Sequence, residues 1–141
     1  MTDCAFCAIA GGAEPERVVL KDERCVAFLD HRPLFHGHSL LIPRAHHETL
    51  LDLPEDEVGP FFQTAQLLTR AVQEAVNAAG TFVAMNNTVS QSVPHLHLHV
   101  VPRRPKDGLR GFFWPRTKYK TEDEMRAARD AVSGAVERLR A

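Results

Sequence analysis

The stretch Gln91-Ser92-Val93-Pro94-His95-Leu96-His97-Leu98-His99-Val100-Val101-Pro102 decides how the rest of the chain is read. Three histidines alternate with apolar residues. In a strand, side chains at i, i+2 and i+4 share one face. A strand over 95–101 therefore sets His95, His97 and His99 in one imidazole row, with neighbours about 6.5–7 Å apart. Leu96, Leu98 and Val100 would point the other way, into a core. Imidazoles facing away from a buried surface call for a chemical use.

Working outward, Asn87 to Pro94 is a turn-rich loop and 81–86 a fourth strand. A helix precedes it, with Val58, Phe61, Phe62, Ala65, Leu68, Val72, Ala75, Val76 and Ala79 at helical spacing. Asp52 and Glu55 have capping-box spacing at its start, Pro60 lies near that start, and Gly80 closes it. Upstream, 38–42 is a third strand ended by Pro43. The runs 17–21 and 25–29 form a hairpin through Asp22-Glu23. Cys4 to Gly12 is a short helical turn. Downstream, Arg103 to Lys120 is polar and basic, broken by Gly111-Phe112-Phe113-Trp114-Pro115. Thr121 and Glu124 form a second capping box. They open a final helix expected to turn Met125, Ala128, Val132, Val136 and Leu139 inward. The strands are not separated by regular helices, so the fold class is α+β with a mostly antiparallel five-stranded sheet.

At 141 residues, 44% apolar and 25% charged, the chain suits one soluble domain. A formal charge of −1 gives no bulk attraction to nucleic acid or an anionic membrane. No apolar run approaches the length of a membrane span. The first residues lack the pattern of a signal peptide, so the cytoplasm is the expected compartment. Three cysteines, Cys4, Cys7 and Cys25, argue against a disulfide framework. Cys4-x-x-Cys7 reads as half a zinc site or a redox pair, and Cys25 as core. No βαβ pattern surrounds the pair, which disfavours redox activity. The eight histidines are a surplus that chemistry would explain.

Three uses of the histidine row compete. It could be a solvated polar face. It could supply a catalytic metal site from two histidines at i and i+2 with a third ligand from elsewhere; all three from one strand is geometrically awkward, the outer pair lying about 13 Å apart. Or one imidazole could be a covalent nucleophile. A nucleophilic imidazole must be neutral, with its other nitrogen hydrogen-bonded to fix the tautomer. An anionic substrate would need donors, which Ser90, Gln91 and Ser92 could provide.

The run His95-Leu-His-Leu-His-Val-Val101 resembles the signature of the histidine triad (HIT) family. Cys4-x-x-Cys7, Ala27-Phe-Leu-Asp30, Gly37-His38-Ser-Leu-Leu-Ile-Pro43, Gln91-Ser-Val93 and Val101-Pro-Arg103 agree in order and spacing. The resemblance covers about residues 4–103. It implies a single HIT domain over 1–141, with 104–141 as a branch-specific C-terminal loop and helix. It also implies a homodimer whose sheets join across the interface. The implied activity is that of a hydrolase or nucleotidyl transferase. It would cleave a purine nucleoside phosphoramidate or dinucleoside polyphosphate at the α-phosphate.

In that reading His97 attacks, held by the carbonyl of His95. His99 faces the phosphate, His38 supports the triad, and Gln91 and Ser92 contact phosphate oxygens or the leaving group. Asp30 binds the ribose hydroxyls, and Asn86 reaches phosphate or ribose. Base contacts are apolar, with Val26, Phe28 and Leu29 as candidates. The loop Asn86-Asn-Thr-Val-Ser90 departs from the family pattern, being shorter and without glycine. Cys4, Cys7, His46 and His95 match the structural Zn2+ set of a bacterial branch of the family; no organic cofactor is implied. Arg103, Arg104, Lys106 and Arg110 would meet a polyphosphate tail or form a solvated loop. The competing functional class is a purine-nucleotide-binding regulatory or interaction protein without catalysis. A metal-dependent hydrolase is the third.

Overall fold

Cys25-Val-Ala-Phe-Leu29 and Ser39-Leu-Leu-Ile-Pro43 are apolar at nearly every position, as strands covered on both faces require. In the computed structural model they are β2 (Cys25–Leu29) and β3 (Ser39–Pro43), antiparallel, with Ala27 opposite Leu41. The model describes residues 3–110 and 115–141. Phe112, Phe113 and Trp114 lie outside the described residues. The chain divides into two compact units, Met1–Asp107 and Gly108–Ala141.

In the first unit, β1 (Val18–Lys21) pairs with β2, β5 (Leu98–Arg103) with β3, and β4 (Gly80–Ala84) with β5. The order is β1-β2-β3-β5-β4, and every pairing is antiparallel. The expected α+β class and five-stranded sheet are thus observed. Strand alternation divides the core in two. Cys25, Ala27, Leu41, Leu96, Leu98 and Val100 pack on one face against Phe61, Ala65, Leu68 and Val72 of α2 (Glu55–Ala75). Val26, Phe28, Leu40 and Ile42 pack on the other against Phe6 and Ile9 of α1 (Ala5–Ala10).

Four expectations are corrected. The fifth strand begins at Leu98, so of the three histidines only His99 is in the ladder. The rings of His95 and His97 are nevertheless opposite Leu96 and Leu98, which remain in the α2-side core. Helix α2 begins after Pro54 with no side-chain cap, and the capping box is Thr49–Asp52, one turn earlier. The helix ends at Ala75, and Asn77, not Gly80, adopts the left-handed turn conformation (φ 51°); Gly80 opens β4. Asparagine tolerates that region better than most residues.

The last correction concerns the second unit. Helix α3 (Glu122–Arg140) forms with the expected reciprocal cap. The Glu124 N–H donates to Thr121 Oγ1 and the Thr121 N–H to Glu124 Oε2, each at 3.1 Å. Its first turn is acidic and its last basic, matching the helix dipole. None of its residues is buried, and Val132 (66% exposed) and Leu139 (85%) are open to solvent. No helix among the described residues is long and apolar enough to cross a membrane.

These packing differences set unequal costs of truncation. Phe61→Ala should destabilise the protein by about 3–5 kcal/mol, because its ring is enclosed. Val132→Ala should cost less than about 0.5 kcal/mol. Urea denaturation measures both, and comparable losses would contradict the packing.

Candidate active site and metal centre

The segment from His95 to His99 is tightly held, and each imidazole has a different partner. His95 is fully buried, and its Nε2 donates to the carbonyl of Pro43 at 2.9 Å. That bond puts the proton on Nε2 and leaves the Nδ1 lone pair facing Cys4 Sγ (3.4 Å) and Cys7 Sγ (3.5 Å). His46 Nδ1 is 3.3 Å from Cys7 Sγ. One ligand atom from each of Cys4, Cys7, His46 and His95 lies within 4.8 Å of the other three.

The donor set, two thiols and two imidazoles, is of the kind that tetrahedral zinc takes. Bonds of about 2.3 Å to sulfur and 2.0–2.1 Å to nitrogen give a sulfur–nitrogen edge of about 3.5 Å, which the three observed separations match. Burial, with the neighbouring Cys4 adding to it, pushes the Cys7 thiol above its ordinary range. A dication reverses that preference by binding the thiolate. The residues fit the metal. His47, next in sequence, is not in the group; its carbonyl accepts from the Leu96 N–H at 2.7 Å and its Nε2 is buried without a partner among the described residues.

His97 is buried and its Nδ1 donates to the carbonyl of His95 at 2.7 Å. The lone pair is therefore on Nε2. Phe6 meets its ring edge-on, with centroids 5.0 Å apart. A second chain of bonds fixes His99. The Leu34 N–H donates to His38 Nδ1 (3.1 Å), so the neutral His38 carries its proton on Nε2 and donates to His99 Nδ1 (3.0 Å). His99 then keeps its own proton on Nε2 as a donor. Asp30 Oδ2 is 3.6 Å from His38 Nε2, while Oδ1 accepts from the Arg32 N–H at 2.9 Å. Asp30, His38 and His99 are also close enough to share an ion, but in these tautomers His38 has no lone pair left to give one. Burial lowers the pKa of His38. Burial, reinforced by His97 and His38, pushes His99 down to about 4. His99 is thus a neutral donor near pH 7.

A cavity of about 310 Å³ opens beside these rings, lined by His97, His99, Ser92 and Asp30 and by the apolar Phe6, Ile9, Leu40 and Val93. The apolar wall thus comes largely from α1. Val26, Phe28 and Leu29 are not among the lining residues. Position offered a signal: Phe6 lies between Cys4 and Cys7, so bringing that pair to His95 brings Phe6 to His97.

Asn86 and Gln91 brace the loop and do not line the cavity. Asn86 Nδ2 donates to the Ser90 carbonyl (3.1 Å), and Gln91 spans from the Thr88 N–H (2.9 Å) to the Glu48 carbonyl (2.6 Å). The loop lacks glycine, yet Thr88 (φ 69°) and Ser90 (φ 61°) adopt the left-handed conformation that glycine favours. Arg103 is paired with Asp107 (2.6 Å), and Arg104 donates to the Val76 carbonyl; neither lines the cavity.

Known proteins resemble this chain in sequence and in fold. The chain is 35% identical over 109 residues to adenylylsulfatase HINT3 of Arabidopsis thaliana, covering 76% of this chain and 55% of that protein. It therefore spans little more than half the length of that relative. It is 29% identical over 118 residues to adenosine 5'-monophosphoramidase HNT1 of Candida albicans, covering 79% and 78%. The crystal structure of SMU.412c from Streptococcus mutans superposes with a TM-score of 0.83 at 31% identity, covering 96% of this chain and 87% of that one. A zinc-bound histidine triad family protein from Mycobacterium smegmatis superposes at 0.71 with 36% identity, covering 95% and 98%. The HIT domain model matches residues 12–106, which reach from the end of α1 past the last strand of the sheet. With two thirds of its length accounted for in this way, the chain belongs to the HIT family.

Proposed function

We propose that this protein is a nucleotide hydrolase or nucleotidyl transferase acting at the α-phosphate of a purine nucleoside phosphoramidate or dinucleoside polyphosphate, through a covalent intermediate on His97. The observation that carries the reading is the bond from His97 Nδ1 to the His95 carbonyl, which leaves Nε2 as a lone pair at the cavity wall. Attack forms an N–P bond and breaks the bond to the amine or phosphate leaving group. The imidazole becomes cationic, and the His95 carbonyl dipole offsets that charge. The Ser92 hydroxyl and His99 Nε2–H are donors for the phosphoryl oxygens and the leaving atom. Water then displaces His97, releasing the nucleoside monophosphate and restoring the neutral ring. Asp30 takes the ribose hydroxyls, while His38 holds the tautomer of His99. Asn86 and Gln91 act on phosphate through the loop conformation they maintain. The names of the Arabidopsis and Candida relatives support cleavage next to an adenylyl phosphate.

Within the same reading, Cys4, Cys7, His46 and His95 hold a structural zinc, as in a bacterial zinc-containing branch of the family. The zinc-bound Mycobacterium structure supports this. Bound there, the metal ties α1 to the triad segment and takes no part in the reaction. The free thiols suit the cytoplasm. Two copies are proposed to pair through β4, the edge strand where Val83 is exposed, and through the exposed Phe62 and Leu67 of α2.

Three outcomes are expected. His97→Ala should lower phosphoramidate turnover by about a thousandfold or more while nucleotide monophosphate still binds by calorimetry, and no covalent adduct should form. Undiminished turnover would sink the mechanism, and binding without cleavage in the unmodified protein would favour a regulatory role. Cys7→Ser should lower the zinc content measured by atomic emission and reduce Tm by about 10 °C; a zinc-free wild-type protein with unchanged Tm would remove the metal. Light scattering should give twice the chain mass, and a single-chain mass at micromolar concentration would exclude the dimer.

A further inference from the structure

The cavity that holds His97 and His99 is also lined by Glu14 and Arg17, which the reaction above does not use. Arg17 is a fixed post. Its Nε and Nη2 donate to the Leu29 carbonyl at 3.0 and 2.9 Å, and its guanidinium lies 5.3 Å above the Phe28 ring. Its Nη1 donates to Glu14 Oε1 at 2.8 Å. Among the described residues, Glu14 Oε2 has no partner. The backbone at Glu14 is left-handed (φ 50°, ψ 53°), a conformation that a glutamate adopts only at a cost. A surface ion pair would not require a side chain so placed, at the rim of a cavity.

Of the two carboxylates lining the cavity, Asp30 is engaged by the Arg32 N–H and faces His38, at the end where His99 lies. Glu14 is the other. The apolar Phe6, Ile9 and Leu40 also line the cavity, and they can pack on any flat base and discriminate little.

We propose that Glu14 selects the base of the nucleotide, favouring guanine over adenine; this rests on the nucleotide reading of the site. Guanine presents two adjacent donors, N1–H and the 2-amino group, which match the two oxygens of a carboxylate. Adenine presents the N1 lone pair beside its single amino donor, and that lone pair repels a carboxylate. Arg17 orients the carboxylate. A site that hydrogen-bonds a group on one substrate penalises the analogue lacking it. Glu14 is about half exposed, at 51%, and water weakens the effect.

The test compares guanosine, inosine and adenosine 5′-phosphoramidates with one amine leaving group, using the full chain, alongside calorimetric binding of GMP and AMP. The wild-type kcat/KM should favour guanosine over adenosine by about tenfold, mostly through KM, with inosine (which lacks the 2-amino group) between them. Glu14→Ala should bring the ratio to within about twofold of unity. Glu14→Gln, which keeps the side-chain size, should also lose the guanosine preference. Thermal melts control for folding. A wild-type ratio near one, or a preference unchanged in both variants, overturns the role of Glu14 and leaves the hydrolase standing. Binding of neither GMP nor AMP overturns both.

Discussion

His95 is held from three directions, and the site depends on all three. Its Nε2–H is fixed by the Pro43 carbonyl, its Nδ1 faces the two thiols, and its own carbonyl orients His97. A shift of the ring toward the thiols moves the carbonyl with it. In the proposed reading the metal centre and the nucleophile are therefore not neighbouring sites that happen to be close. There one residue would serve as ligand and as orienting acceptor, and its position must satisfy both geometries. Its complete burial is consistent with that demand, since a buried imidazole needs every polar atom answered.

The sheet separates stability from chemistry. One face carries Leu96, Leu98 and Val100 into the packing against α2, and the other carries the imidazoles toward α1. Loss of a leucine on the first face weakens the fold while sparing the donors and acceptors of the second. On the chemical face, neutral tautomers replace counter-charges. His38 and His99 are linked by a single proton direction set by a backbone N–H at Leu34. No cation has to be buried to place a donor at the cavity, which avoids the large penalty of an unpaired interior charge.

Much of this was legible in the sequence, for identifiable reasons. Period-two alternation at His95 to Val100 gave the two faces, and continuous apolar runs gave β2 and β3. The grouping of Cys4, Cys7, His46 and His95 followed from residue type and family spacing, and the structure brings those four side chains together. What the sequence could not give depended on partners chosen in three dimensions. The ladder begins at Leu98 because the His95 and His97 segment makes its bonds elsewhere, through the Leu96 N–H to the His47 carbonyl among others. The expected base contacts at Val26 and Phe28 became core because α1 closes over them. The stripe of α3 reported an apolar face and not its exposure. The loop without glycine still reached left-handed geometry, at Thr88 and Ser90, braced by Gln91 and Asn86.

The contact between Cys4 and His95 spans 91 positions of sequence. Helix α1 has only six residues, too few to persist in water unaided. It precedes His95 by some ninety positions and can be secured only after that segment has emerged. A nascent or prematurely ended chain therefore has no cavity wall, whatever else has folded, and non-local closures of this kind are slow to form. The cavity wall thus waits on a long-range contact and is not a property of any early folding unit.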